Sequence, residues 1–498
     1  MSGALSVALT DACRCFGSAV ALSGEVGSMT YTRLADVAQV VATSLRDAGV
    51  QADEPVHVHV SNLPTDIAAL FGVWRAGGVA VAIHRTTPPS LMASLQQRTG
   101  ARFLVDLRSQ RVDAASFSTL SNVPPPQRTL LAGAALIIFT SGSTGVPKGV
   151  VLGHEAFHGK IDQIDRLLHF APDDRVLLVL NLSFGFGLWV SLLTLLRGGT
   201  LVMAPKFDAA TFLRTLADER ISRVGMVPTM MRVVFADEAH GEAIDRVTRQ
   251  ARLRQILIGG ESLGLSLAES IRRRFANTEL VDIYGLTETS TCDFFAFPAD
   301  AARAPGSIGR PAPKVRHRIV DAQGRAVDPG AVGELQIISP YLMQGYLDDP
   351  ALTAASYGDG WLRTGDLARE RDGGCVELMG RHKEVISRGG NKVTPVEIEQ
   401  ALCAHADVAA AMAVGIADTV LGERIHVLLV PRAGARVELA ALREHLASRL
   451  ERFKQPDVYY LADVLPLGRT GKADRGQLKG LITSGALSPA MPAAPAAD

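Results

Sequence analysis

The sequence predicts an α/β protein: a large N-terminal domain of mostly parallel sheets with helices and a small β subdomain, followed by a small α+β C-terminal domain. Three observations carry this. Strand-like apolar runs alternate with amphipathic stretches through roughly the first 300 residues, the pattern of successive βα units. From about Ile308 the texture changes to short strand-like pieces joined by Gly and Asp turns. From about Glu384 a new mixture of helical and strand patterns begins. At 498 residues the chain also exceeds what one hydrophobic core serves, so more than one domain is expected.

Each element follows from its own pattern. "PVHVHV" (55–60), "VAVAIH" (79–84), "AALIIF" (134–139), "GVVLGH" (149–154), "RQILIGG" (254–260) and "LVDIYG" (280–285) read as buried strands, and "TFLRTLADERI" (211–221) as an amphipathic helix. The uncharged run at 176–196 is long enough to span a bilayer. Asn181, Ser183, Gly185 and Gly187 interrupt it, however. The soluble reading makes "VLLVLNL" a strand, "GLWVSLLTLL" a core helix and Ser-Phe-Gly-Phe the turn between them. "KVRHRIVDAQGRAVDPGAVGELQII" (314–338) reads as the β subdomain. "PVEIEQALCAHADV" (395–408) and "IHVLLVP" (425–431) belong to the last unit. The Ala/Pro-rich stretch from Ser484 has little to bury and is expected to be disordered.

Composition narrows the function classes. Lys+Arg and Asp+Glu both total 51, so no global charge draws the chain to nucleic acid or anionic membranes. Five cysteines without a framework spacing argue for a reducing compartment. The first residues lack a basic region and carry Asp11 within their apolar stretch, unlike a signal peptide. The expectation is a cytoplasmic protein.

The chemistry is concentrated in five stretches. "FTSGSTGVPKGV" (139–150) combines glycines that let backbone N–H groups face an anion, the hydroxyls of Thr140, Ser141, Ser143 and Thr144, and the cation of Lys148. It is not a Walker A loop, because Gly142 and Gly145 stand too close together and Gly149 follows the lysine. "IYGLTET" (283–289) puts an aromatic ring, a hydroxyl and a carboxylate at a strand's C-terminal end, where α/β sheets bind ligands. "WLRTGDLARE" (361–370) places Asp366 in a tight turn. "GRHKEVISRGGNKVTPVEIE" (380–399) joins an Arg-x-Lys to a double glycine and a Pro-initiated helix. "LPLGRTGKADR" (465–475) holds Lys472 in a Gly-flanked loop.

In this order, and from "TYTRLADVAQVVATSL" (30–45) to Arg475, these stretches resemble the adenylate-forming (AMP-binding) superfamily, in the acyl- and aryl-CoA ligase type. The resemblance implies an AMP-binding domain over residues 1–382, a mobile C-terminal domain over 383–483, and the tail 484–498, with the active site between the two domains. It implies that Thr140, Ser141, Gly142, Ser143, Thr144, Gly145 and Lys148 hold the β- and γ-phosphates. Tyr284 would stack on adenine, Thr287 contact the α-phosphate, Glu288 hold Mg²⁺, and Asp366 accept the ribose hydroxyls with Arg381 nearby. Lys472 would bridge the substrate carboxylate and the α-phosphate. Lys383 matches the hinge, and Gly389 and Gly390 the face that admits a pantetheine arm. The implied reaction uses ATP, Mg²⁺ and CoA: a carboxylate attacks the α-phosphorus, pyrophosphate leaves, and a thiol then displaces AMP. The physics agrees, since two anions can approach only where cations neutralise them.

Departures within the resemblance speak to the acid. Amino-acid-activating relatives carry an aspartate where this sequence has Gly185. Phe184, Gly185, Phe186, Gly259, Gly260 and Leu286 are expected to form a mostly apolar pocket for an aromatic or medium-chain aliphatic acid. "ISRGGNKV" looks more like CoA ligases than peptide-synthetase domains. The expected acceptor is therefore CoA, with a separate phosphopantetheine carrier protein as the alternative.

Overall fold

A computed structural model describes residues 3–490 apart from 26, 141–146, 251, 433 and 469–472. Two large sheets dominate the first 350 or so residues. The first has nine strands. Six of them, Glu279–Tyr284, Gln255–Gly259, Arg223–Met226, Arg175–Leu178, Thr200–Met203 and Val20–Gly24, run parallel in that spatial order. Antiparallel strands close both edges: Phe294–Ala296 and Arg310–Pro311 at one end, Gly27–Thr30 at the other. The second sheet has seven strands around a parallel set of Ala134–Thr140, Val79–His84, Pro55–Val60 and Phe103–Val105. One core cluster draws on both sheets and on the helices Pro64–Ala76 and Gly185–Leu196. The latter is apolar on every face because it is buried on every face.

The uncharged run at 176–196 is thus divided between a strand and a core helix, and no helix among the described residues is long and apolar enough to cross a membrane. The strand is shorter than expected, ending at Leu178, because side chains bond the backbone groups that follow it. Asn181 accepts from the Ser183 N–H and hydroxyl, both at 2.8 Å, and the Asn62 amide donates to the Leu180 carbonyl at 2.9 Å. Side-chain bonds replace ladder bonds and turn the chain. Gly187 lets the helix return closely, since a Cβ there would lie 2.5 Å from the Asn181 carbonyl oxygen.

The predicted β subdomain is a five-stranded antiparallel sheet that includes Arg316–Val320, Gly333–Ile338, Trp361–Arg371 and Cys375–Arg381. The last unit is a mixed five-stranded sheet carrying the helices Pro395–Cys403, Leu439–Ala447 and Arg475–Thr483 around its own core. Its strands Ile386–Arg388 and Asn391–Val393 form a hairpin whose turn is Gly389–Gly390, at φ +56° and +81°. Two consecutive positive φ values suit a two-residue turn and favour glycine. The expectation of disorder from Ser484 onward does not hold for 484–490. There Leu487 packs against a hydrophobic cluster and the Ala490 N–H donates to the Tyr459 carbonyl at 2.8 Å. A partly buried leucine and several backbone hydrogen bonds secure a segment whose composition promised neither.

Candidate active site

Two parallel strands of the first sheet end at Gly259 and Tyr284. Among the described residues singled out from the sequence, Tyr284, Asp366 and Arg381 are linked by side-chain contacts, as Glu288 and Lys148 are through Tyr346. Thr140 and Lys148 face each other across the base of an antiparallel hairpin. The predicted cradle residues Ser141, Gly142, Ser143, Thr144 and Gly145 lie outside the described residues, as does Lys472. Gly345–Tyr346 adds a short antiparallel strand to Lys148–Gly153, pairing with Val150 and Val151. This places the Tyr346 ring 5.5 Å from the Lys148 ammonium, and its hydroxyl donates to Glu288 Oε1 at 2.8 Å. Burial first, and then the Glu288 charge, push the Tyr346 phenol above its usual value, which keeps it a donor.

Glu288 sits in the middle of the short 3₁₀ turn Thr287–Thr289, and its carbonyl accepts from the Met343 N–H at 2.8 Å. Behind the turn, Gly285 packs onto the backbone of Cys292: a Cβ there would lie 2.4 Å from its nitrogen. The 285–292 loop is therefore tight, and its Ser290 and Thr291 take left-handed backbone conformations at φ +57° and +80°.

Tyr284, Asp366 and Arg381 meet although 82 residues separate the first two. The Tyr284 hydroxyl donates to Asp366 Oδ2 at 2.6 Å, and Arg381 Nε lies 3.1 Å from Asp366 Oδ1. Cross-strand pairing puts Asp366 opposite Arg381. Burial raises the Asp366 carboxyl, and Arg381 opposes the rise. The group is 4% exposed, so it is held between those two donors. Lys383 follows in the turn His382–Glu384. Partial burial and then the neighbouring Arg381 charge lower its ammonium from the usual range.

The expected acyl pocket is assembled around the start of the helix Gly185–Leu196, with Phe184 at its N-cap position. Phe186 stacks on Trp189, centroids 5.5 Å apart and planes at 5°, and lies over Gly225, where a Cβ would come within 3.3 Å of the ring. The nearest atom to a Cβ built at Gly185 is the Cβ of Thr291, at 3.9 Å. Thr291 is buried, and its N–H donates to the Leu286 carbonyl at 2.9 Å. Gly259 has a structural reason of its own, since a Cβ there would stand 2.3 Å from the Ile283 carbonyl oxygen. Gly260 is exposed at φ +88°. Gly389 and Gly390 lie apart from this cluster in sequence, at the hairpin turn of the last unit.

Sequence reasoning missed Tyr346 and Thr291. Tyr346 lies on a two-residue strand, too short for any periodicity. Thr291 lies past Thr289, where the conspicuous motif ends.

Residues 9–347 match the family described as AMP-binding enzyme, and residues 397–472 match the AMP-binding enzyme C-terminal domain. The chain belongs to the AMP-binding enzymes. An indoleacetate–CoA ligase of Aromatoleum aromaticum is 31% identical over 91% of this chain and 93% of its own. A fatty acid–[acyl-carrier-protein] ligase of Streptomyces coeruleorubidus is 30% identical over 91% of each. The structure of an anthranilate CoA ligase in complex with anthranoyl-AMP superposes with a TM-score of 0.85 at 20% identity, covering 97% of this chain and 99% of that one. This AMP-binding enzyme is an ATP-dependent acid–thiol ligase of the AMP-forming kind.

Proposed function

We propose that this ligase activates an uncharged aryl or medium-chain carboxylic acid and transfers the acyl group to CoA. The observation that carries the choice of acid is the surrounding of Gly185. Among the described residues a Cβ there meets only Thr291 within 4 Å, the chain neighbours Phe184 and Phe186 are apolar, and position 185 itself offers no carboxylate to pair an α-ammonium. An ammonium buried there without a partner would cost several kcal/mol. The indoleacetate relative fits an aryl acid of this kind.

In this reading the carboxylate oxygen attacks the α-phosphorus of ATP, the bond to the β-phosphate oxygen breaks, and pyrophosphate leaves. Thr140, the loop after it and Lys148 bind the departing phosphates, Thr287 contacts the α-phosphate, and Lys472 bridges the two approaching anions. Tyr284 stacks on adenine. Asp366, with two donors already aimed at it, accepts the ribose hydroxyls. The chemistry of the donor set fits Mg²⁺. Among the described residues no group of three His, Cys, Asp or Glu could hold a metal, and a single carboxylate such as Glu288 suits an ion that keeps phosphate oxygens and water as its other ligands. When bound, that ion neutralises phosphate charge. In the second half-reaction a thiolate attacks the acyl carbonyl and AMP leaves.

The two steps need different groups beside one carbon. Rotation of residues 383–483 about Lys383 would exchange Lys472 for the side-chain-free Gly389–Gly390 turn. Residues 1–382 form the stationary partner in this reading, and the contact between the two units includes an exposed hydrogen bond from Arg432 to Ser266 at 3.3 Å. A carrier protein in place of CoA is the second reading, favoured by the acyl-carrier-protein ligase among the relatives.

The test is pyrophosphate exchange into ATP over a panel of carboxylic acids with Mg²⁺, followed by thioester detection with CoA and with a holo-carrier protein. Exchange that depends on an aryl or alkyl acid, and a CoA thioester, are expected. Exchange only with amino acids would overturn the pocket reading.

A further inference from the structure

The geometry points to Asp293, clamped by Lys160, as the positioning residue that sets the Thr287–Thr289 turn and with it the Glu288 carboxylate. The inference rests on the reading of Glu288 as the side chain that faces Mg·ATP.

Lys160 and Asp293 are both fully buried, and Lys160 Nζ donates to Asp293 Oδ1 at 2.6 Å across 133 residues of sequence. Withdrawing two charges from water is costly, and an apolar pair of similar volume would join the helix His154–Leu168 to the sheet equally well. The ion pair therefore supplies something other than adhesion, and its second oxygen shows what. Asp293 Oδ2 accepts from the Thr289 hydroxyl at 2.5 Å, and the Thr289 oxygen accepts in turn from the Leu286 N–H at 3.3 Å. Thr289 is the last residue of the turn, directly after Glu288.

Asp293 is itself fixed at both ends of its backbone. Its N–H donates to the Tyr284 carbonyl, and its carbonyl accepts from the Ala312 N–H, both at 2.7 Å. The turn thus hangs from a point that cannot drift. Ser290 and Thr291 follow it at positive φ, a conformation that a β-branched residue adopts only under constraint. The bonded Thr289 provides that constraint.

Lys160 also reaches the opposite support of Glu288. Its Nζ stands 5.8 Å from the centroid of the Tyr341 ring, two residues before Met343, whose N–H holds the Glu288 carbonyl. Gly159 permits this approach, since a Cβ there would meet the Tyr341 ring at 2.7 Å. One buried ammonium therefore lies against both supports of the turn, on the helix that directly follows the strand of Lys148.

Three variants test this. Thr289→Val keeps the ion pair and cuts its link to the turn; Thr289→Ser restores the hydroxyl. The double variant Lys160→Met/Asp293→Leu removes both charges without leaving one stranded. Each is measured by calorimetric Mg·ATP binding without acid, by the two half-reactions separately, and by thermal midpoint. For Thr289→Val and the double variant we expect Mg·ATP affinity and adenylation kcat/KM to fall about tenfold or more. Thiol transfer from a supplied acyl-adenylate should stay within about threefold of the parent. Thr289→Ser should remain within about threefold in every measure. Parental Mg·ATP binding and adenylation in Thr289→Val would overturn the inference. So would an equal fall of both half-reactions with a collapsed thermal midpoint, the mark of a purely structural pair. A parent protein that binds Mg·ATP but exchanges pyrophosphate with no acid would refute the proposed function, and the positioning role would then be judged on binding alone.

Discussion

Replacing Gly185 by aspartate asks whether the absence of a charge at that position selects the acid. A Cβ at Gly185 meets nothing nearer than the Thr291 Cβ at 3.9 Å, so the new side chain enters without displacing backbone. Gly185 is the first residue of the helix Gly185–Leu196, which has no acidic residue in its first turn. A carboxylate there gains about 0.3–1 kcal/mol from the helix dipole, which argues that the variant folds. The parent must discriminate against an α-amino acid by the cost of an unpaired buried ammonium. Roughly 2.8 kcal/mol of that cost already gives a hundredfold preference for the uncharged acid. Aspartate should cancel much of this and also penalise the apolar acid by desolvating a carboxylate, so the ratio should move by about a hundredfold or more toward the amino acid. The assay is pyrophosphate exchange with matched pairs, such as 3-phenylpropanoate and phenylalanine, on both proteins. A parent that prefers phenylalanine would refute the reasoning outright. A Gly185→Asp protein with an unchanged ratio would show that the α-substituent of the acid does not lie beside this residue.

Tyr346→Phe keeps the ring against Lys148 but removes the donor to Glu288. A hydrogen bond to a charged group contributes about 1.5–3 kcal/mol, so adenylation kcat/KM should fall about 10- to 150-fold, and an unchanged value would separate Tyr346 from the chemistry. Lys383→Pro fixes one dihedral in the turn His382–Glu384. Adenylation should survive while thiol transfer falls at least about tenfold, and equal survival of both in stopped-flow half-reactions would move the hinge elsewhere. Burial pushes His154 down to about 4, and burial followed by the nearby His59 pushes His57 down to about 3. Each therefore binds fewer protons folded than unfolded below the ordinary value of about 6.5, and each should withdraw about 3 kcal/mol of stability between pH 6.5 and pH 4. His57→Gln should flatten the fall of the urea midpoint over that window, and an unaltered slope would mean that His57 protonates in the folded state.

Why some of this was legible and some was not comes down to the range of the signal. Parallel strands buried on both faces are written as continuous apolar runs, so Pro55–Val60, Val79–His84 and Glu279–Tyr284 could be read directly. The double glycine at 389–390 marked a turn because two successive positive φ values leave few alternatives. The strand beginning at Arg175 stopped early because Asn62, more than a hundred residues away, competes for the Leu180 carbonyl. No local pattern encodes that. The same division runs through the site. Tyr284, Asp366 and Arg381 were each conspicuous in their own stretches, but only the fold shows that one carboxylate receives both the phenol and the guanidinium.

The supports are less visible than the groups they hold, and the reason is physical. A residue that faces a ligand must carry unusual chemistry in an exposed, Gly-rich or turn-forming segment, so its neighbours in sequence announce it. A residue that holds such a group in place must be buried, and burial surrounds it with ordinary apolar sequence: Lys160 lies mid-helix among core residues, and Asp293 stands before the paired Phe294 and Phe295. Tyr346 is similar, a buried ring whose one polar atom meets Glu288 from 58 positions away. Such residues become legible only as contacts. A charge at a position that periodicity assigns to the core is nevertheless a signal of its own, because it is not stable without a partner of opposite sign. Lys160 and Asp293 satisfy that need for each other, and neither needs the other unless both are buried. Their shared burial is then explained by what hangs from it, the turn that carries Glu288, whose last residue Thr289 bonds the free oxygen of the pair.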